Sequence, residues 1–229
     1  MEIRIESLVE GAQRAQGTVV IVDVFRAFTT AAVAFARGAR QIILVADPRE
    51  ALSLRERGLG ELVMGEVAGR RPEGFDFGNS PYELSQADVA GKVLIQSTRA
   101  GTVGACAAGR AEALYAASLV VARATAEALR RANPPLVTIV AMGAEGRVRS
   151  DEDEQCALYL RNLLEGRQPD RECVRRLVAA GAEAAKYGDP ARPHFHPMDR
   201  EIALQIDSIG LAMRVTRENG LLVARADAL

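Results

Sequence analysis

Two stretches constrain the fold more than any other feature. Thr18–Val24 reads TVVIVDV and Leu136–Met142 reads LVTIVAM. Largely β-branched apolar runs without period-two alternation fit strands covered on both faces, the environment of a parallel sheet between helices. Shorter runs repeat the signal at Gln41–Ala46, Glu61–Gly65, Lys92–Gln96 and, weakly, Leu114–Ala117. Helical patterns separate them. Phe28–Arg37 is stopped by Gly38, and a second segment starts on Asp47 and Pro48 as N-cap and N1 and runs to Gly58. Further helices are expected over Leu119–Ala132, over Asp151–Leu164 with Ser150 and Asp153 spaced as a capping box, and over Asp170–Lys186. Strand and helix alternating in this way predicts an α/β protein.

The tail MRVTRENGLLVARA, within about residues 211–226, predicts a hairpin turned by Asn219-Gly220. No stretch reads as a linker. Residues 1–229 are therefore expected to form one domain, with the hairpin and the Pro-containing Gly188–Pro197 segment as decorations. At ~100–200 residues per domain, the length is enough for a sizeable core.

Charge narrows the partners. The chain has 29 Lys plus Arg against 30 Asp plus Glu, a net charge of -1, which argues against a nucleic-acid partner held by bulk electrostatics. Lysine occurs only at Lys92 and Lys186, and histidine only at His194 and His196. A His-rich metal centre is excluded, and both histidines read as surface or packing residues. Cys106, Cys156 and Cys173 form no CxxC pair and read as small buried residues. No apolar run approaches the ~18 residues of a membrane span, and MEIRIESLVE has no signal-peptide core, so the expected location is cytoplasmic, without a membrane partner.

In open α/β sheets, ligands bind beyond the C-terminal ends of strands. Four polar clusters fall at such ends: Asp23 and Arg26; Glu66 with the Gly- and Pro-rich stretch to Pro81; Ser97–Thr102; and Gly143–Asp153. Asp23 suits metal binding or attack on phosphorus, and equally an N-cap. The loop Ser97-Thr98-Arg99-Ala100-Gly101-Thr102 offers hydroxyls, an arginine and backbone N–H groups to an anion, although an ordinary capped turn explains it as well. Arg147 and Arg149 offer forks that match phosphate, sulfonate or carboxylate. Of the acids 151–154, at most one or two can face a site, and Glu152 and Asp153 are the chosen pair. Other chemistries lack their signatures. DVFRAFT has Phe25 where a DxDxT phosphatase loop needs its second carboxylate. There is also no GxxxxGK[ST], no C-x5-R and no G-x-S-x-G.

Taken together, IVDVFRAFTT (Ile21–Thr30), Gly65-Glu66, GFDFGNSP (Gly74–Pro81), STRAGT (Ser97–Thr102) and GAEGRVRSDEDEQCA (Gly143–Ala157) resemble the 2-phosphosulfolactate phosphatase family, the ComB-like proteins. Weaker similarity continues to DREIALQID (Asp199–Asp207). One departure is Arg99-Ala100, where many members carry an asparagine. The resemblance implies a three-layer α/β/α fold with a largely parallel or mixed sheet. It also implies a Mg²⁺-dependent phosphatase acting on 2-phospho-3-sulfolactate, a reaction of coenzyme M biosynthesis. On this reading Asp23, Glu66 and Arg26 are catalytic. Ser97, Thr98, Arg99, Gly101, Thr102, Arg147, Arg149, Asn79 and Ser80 bind substrate, and Asp23, Glu66, Asp76 and Asp153 hold the metal. The partner is a small phosphorylated, sulfonated molecule, and a homodimer is left open. Two alternatives stand beside it: a phosphatase for another phosphorylated hydroxy acid, and a non-catalytic anion-binding domain of the same fold. The second needs the arginines but not the acids.

Overall fold

The computed structural model describes residues 1–228. Among these, nine strands form one sheet: β1 (Glu2–Ser7), β2 (Gly17–Val22), β3 (Gln41–Val45), β4 (Leu62–Gly65), β5 (Val93–Ser97), β6 (Ala111–Ala117), β7 (Leu136–Ala141), β8 (Leu211–Glu218) and β9 (Leu221–Ala228). Their order is β1-β7-β2-β6-β8-β9-β3-β5-β4. Pairing is parallel within β1-β7-β2-β6 and within β3-β5-β4. It is antiparallel at β6-β8, β8-β9 and β9-β3. The strongest apolar runs lie where their composition requires. β2 is buried at every position, and β7 at every position but its first. At the edge, β1 alternates Ile3 and Ile5 with charged residues, as a one-face strand should.

The hairpin corrects the expectation of a decoration. β8 and β9 stand inside the sheet and join its two parallel blocks. Met213, Val215, Leu222 and Ala224 point into the main core, so this hairpin is part of the structure that holds the blocks together. Its turn is as read: Asn219 (φ 49°) and Gly220 (φ 84°) both take the left-handed conformation of a tight two-residue hairpin turn.

Helices α1 (Leu8–Arg14), α2 (Ala27–Ala36) and α5 (Gly101–Ala107) fill one face of the sheet. In α2 every residue from Ala27 to Phe35 is buried, which its all-round small and apolar composition permits. Side chains from both blocks share this core: Val19, Ile21 and Val140 from one, Ile42, Leu44 and Leu94 from the other. The sheet therefore curves around α2 and α5. On its outer face, α6 (Ala122–Ala132) and α7 (Asp151–Leu164) cover the larger block, and α3 (Pro48–Glu56) covers the smaller. This is a three-layer α/β/α architecture. The curvature brings the C-terminal ends of β2, β4, β5 and β7 to one place, although the hairpin separates the blocks.

Two local expectations change. The helix expected over Asp170–Lys186 ends early: α8 is Arg171–Ala179, followed by a turn and a short 3-10 segment at Ala184–Lys186. Gly181 packs there against the start of α7, where a Cβ would lie 3.2 Å from Asp151 Cβ. Ser150 starts α7 but makes no side-chain cap bond, and the Asp153 side chain is engaged elsewhere, so the expected capping box does not form.

Candidate active site

A cavity of about 500 Å³ opens where those strand ends meet. Asp23, Phe25 and Arg26 follow β2; Glu66 and Ala68–Arg70 follow β4; Arg99 and Ala100 follow β5; Gly143–Glu145 follow β7. Glu152 of α7 and Asn79 complete one side. Lys186, Arg192, His194 and Phe195 form the opposite wall.

The carboxylates also fasten the loops to one another. Asp23 Oδ1 accepts from Ala27 N at 2.9 Å, and Oδ2 from Gly101 N at 2.8 Å. Glu66 Oε2 accepts from Gly69 N and Oε1 from Arg99 N, both at 2.7 Å. Asp153 Oδ1 accepts from Val24 N at 2.7 Å, and Oδ2 from Gly143 N at 2.8 Å. Each side chain thus bonds backbone on two different segments, Asp23 and Glu66 as the tie from β2 and β4 to the β5 loop. Two glycines make the approach possible. A Cβ at Gly101 would lie 2.8 Å from both Ala27 Cβ and Asp23 Oδ2. A Cβ at Gly65 (φ 150°) would lie 1.8 Å from the Ser97 carbonyl oxygen.

Burial sets the electrostatics. It raises the Asp23 carboxyl to about 6, against the pull of its N–H donors and with Glu66 adding to the rise. Burial likewise takes Glu152 to about 7, with Glu183 and Asp23 contributing repulsion. Asp153 is raised too, first by burial and then by Glu152 and Asp23. The floor of the cavity therefore holds several carboxyls that resist sharing negative charge, the kind of site from which acid–base chemistry is drawn.

Arg26 is 3 % exposed and holds the far wall in place. Its Nη1 donates to Asp199 Oδ2 at 2.8 Å and to the His194 carbonyl at 2.9 Å, and its Nη2 donates to the Gly69 carbonyl at 3.0 Å. Phe195 lies against the guanidinium, 4.8 Å from ring centroid to Cζ. Asp199, on α9 (Pro197–Ala203), is fully buried and also accepts from Ser80 Oγ at 2.6 Å and Tyr82 N at 3.1 Å. One buried ion pair thus fastens the β2 loop, the β4 loop, the 79–82 turn and the 188–197 segment together.

The family model for 2-phosphosulpholactate phosphatase matches residues 3–189 of this chain. The chain belongs to this family. Its members are phosphatases, that is, phosphoric monoester hydrolases. A Bacillus subtilis protein named "Probable 2-phosphosulfolactate phosphatase" is 33% identical over 184 residues, covering 79% of this chain and 78% of that protein. A Thermoplasma volcanium protein of the same name is 32% identical over 188 residues, 82% of this chain and 84% of that one. A Thermus thermophilus protein of that name is 39% identical over 135 residues, 58% of this chain and 56% of that one.

Within this 2-phosphosulpholactate phosphatase scaffold, the structure sorts the expected site residues. Asp23, Glu66, Arg26, Arg99 and Asn79 line the cavity. Asn79 is 6 % exposed, and its amide oxygen is buried without a hydrogen-bond partner. Gly101 reaches the site through its N–H to Asp23. Ser80 caps α4 (Pro81–Gln86), accepting from Glu83 N, and donates to Asp199. Thr98 and Thr102 bond each other's backbone and hydroxyls, so they shape the loop from within, and Ser97 is buried beneath it.

Four expected positions lie elsewhere. Arg147 is exposed on the turn closed by the Ala144–Val148 bridge, outside the cavity. Arg149 points to solvent and pairs with Glu154 at 2.7 Å. Asp76 turns the other way, accepting from Val63 N at 2.7 Å and pairing with Arg55 at 3.1 Å. Asp153 lies behind the lining, bonded to Val24 N and Gly143 N, and Glu152 faces the cavity in its place. Both follow from helix geometry, since adjacent positions are ~100° apart. The residues that sequence reasoning missed are Arg70, Arg192, His194 and Asp199. Arg70 carried no motif, Arg192 and His194 sat in the segment read as decoration, and Asp199 opened the stretch of weaker similarity that was given no role.

The expected four-carboxylate metal site is not assembled. Among the described residues, no three His, Cys, Asp or Glu side chains group closely enough to hold a metal by themselves. What the cavity offers is a pair of neighbouring carboxylates, Asp23 and Glu66, whose mutual repulsion contributes to the raised Asp23. That donor set fits Mg²⁺, which takes one or two carboxylates and keeps waters and substrate oxygens for the rest.

Proposed function

We propose that this chain hydrolyses 2-phospho-3-sulfolactate to 3-sulfolactate and phosphate with Mg²⁺, the reaction type of coenzyme M biosynthesis, in the cytoplasm. The observation that carries this reading is the convergence of Asp23, Glu66 and Glu152 with Arg70, Arg99, Arg192 and Lys186 in one cavity. A substrate with phosphate, carboxylate and sulfonate groups needs several cations, and a pure anion binder has no use for buried acids that repel one another.

Bound Mg²⁺, held by Asp23 and Glu66, would supply charge neutralisation at the phosphoryl oxygens. The chain's own groups do the rest. Arg99 on the β5 loop, free of any ion pair among the described residues, offers its fork to the phosphoryl group. Asn79 lines the cavity with it. Asp23 is the reacting carboxylate, and two routes use it. Either it attacks phosphorus, the ester oxygen leaves and water then cleaves the phospho-aspartate, or it takes the proton from a water that attacks directly. In both routes one P–O ester bond breaks and one P–O bond to water oxygen forms. Arg26 is best understood as a positioning residue, because three of its five N–H donors are bound to protein.

The test is phosphate release from 2-phospho-3-sulfolactate and from p-nitrophenyl phosphate at mildly acidic pH, with Mg²⁺ or with EDTA. Release from the first, abolished by EDTA, is expected. Release from neither would leave the anion-binding reading in its place. Release from other 2-phospho-hydroxy acids alone would move the assignment to that class.

A further inference from the structure

The cations of the cavity fall into two groups. Arg99 belongs to the floor, on the loop whose backbone bonds Glu66. Arg70 and Arg192 stand on the wall around His194, one on the β4 loop and one on the 188–197 segment. Neither was expected from motifs, and the phosphoryl chemistry above uses neither. Arg70 has no ion pair among the described residues, and Arg192 has only a long contact to Asp189 at 3.6 Å with half its side chain exposed. Lys186 is nearby but is already paired with Glu183. The two arginines are close enough to His194 that, after burial, Arg70 is the largest cause of its lowered basicity, with Arg26 and Arg192 following. Like charges gathered around one imidazole, with Arg26 committed elsewhere, leave an unneutralised positive wall.

The family match over residues 3–189 takes in the floor and Arg70 and stops short of Arg192, His194 and Phe195. The substrate has a corresponding division. In 2-phospho-3-sulfolactate the carboxylate is attached to the phosphorylated carbon, while the sulfonate sits one carbon further away. The group nearest phosphorus belongs with the floor and the remote one with the wall.

We infer that Arg70 and Arg192 form the subsite for the non-transferred sulfonate of the substrate and set the specificity of this chain for it. The inference rests on the proposed function and adds to it which residues read the leaving alcohol. Planar guanidinium forks match the three sulfonate oxygens, and a sulfonate keeps its charge at any working pH. The Arg26–Asp199 pair contributes indirectly, because it fixes both the Gly69 and His194 backbones that flank these arginines.

The test compares 2-phospho-3-sulfolactate with 2-phospholactate, which lacks only the sulfonate. In the Arg70→Gln/Arg192→Gln double variant, the ratio of kcat/KM for the sulfonated over the plain ester should fall about 10- to 100-fold, the range of one to two lost charge-assisted hydrogen bonds. Both positions are exposed, so folding is not expected to suffer. An equal loss on both esters would place these arginines on the phosphate and overturn the inference. Calorimetric binding of 3-sulfolactate separates a failure of the subsite from a failure of the proposed reaction. If the wild-type protein turns over neither ester, loss of 3-sulfolactate binding in the double variant still supports the subsite. Unchanged binding, or no binding to the wild type, refutes it.

Discussion

Replacing Glu152 by glutamine should make the protein more stable at neutral and alkaline pH, and not at acid pH. Glu152 is 4 % exposed, and its carboxyl is held at about 7 against the ordinary 4.5, because burial and then the fields of Glu183 and Asp23 penalise the charge. A group whose folded-state pKa is raised binds its proton more tightly in the folded chain. Stability is therefore lost as pH rises from 4.5 through 7. At 1.36 kcal/mol per pH unit, the displacement costs up to about 3 kcal/mol above pH 7. Glutamine removes the charge with little change of shape. For a chain of this size, about 2–4 °C per kcal/mol gives a rise in Tm of about 6–12 °C at pH 8 and almost none at pH 4. The assay is thermal unfolding followed by circular dichroism at both pH values, with EDTA present so that no cation neutralises the cavity. A Tm at pH 8 that fails to rise, or that rises equally at pH 4, would refute the claim that buried, mutually repelling carboxyls are held in this site.

Substitutions at three other positions test separate parts of the account. Asp199→Ala leaves the buried Arg26 unpaired, which should cost about 3–5 kcal/mol in urea unfolding. Asp199→Asn should lose less and, by loosening the His194 wall, should raise KM more than it lowers kcat; a variant indistinguishable from wild type in both would remove the clasp from the argument. Gly101→Ala forces a methyl to within 2.8 Å of Asp23 Oδ2 and should reduce turnover at least 10-fold at unchanged KM, read by steady-state kinetics; full activity would show that Asp23 is not held as described. Arg147→Ala should leave kcat and KM within about twofold of wild type, as expected for an exposed residue away from the chemistry; a large rise in KM would return it to the site.

The sheet was legible where burial writes itself into composition. TVVIVDV and LVTIVAM became β2 and β7, and the Asn219-Gly220 turn was found where expected. The place of the hairpin was not legible. The alternation Met213, Val215 against Arg214 fits a surface ribbon as well as an inserted pair, and only the partners β6 and β3, about 100 and 180 residues upstream, decide it. The same division holds for the site. That Asp23, Glu66 and the β5 loop line one cavity was legible because ligand sites follow strand ends. Asp76 and Arg149 were misjudged because motif membership does not fix where a side chain points, and each found a closer partner in Val63 N or Glu154. Arg192 reaches the cavity only through the tertiary path of the 188–197 segment, Asp199 bears on it only through Arg26, and no local pattern encodes either placement.

The most direct measurement is phosphate release from 2-phospho-3-sulfolactate by wild-type protein and by Asp23→Asn, with Mg²⁺, alongside circular dichroism of both. The account predicts turnover by the wild type and a loss of at least about 1,000-fold in kcat for a variant that keeps its fold, as expected when the reacting group itself is removed. A folded Asp23→Asn protein with near-normal turnover would contradict it.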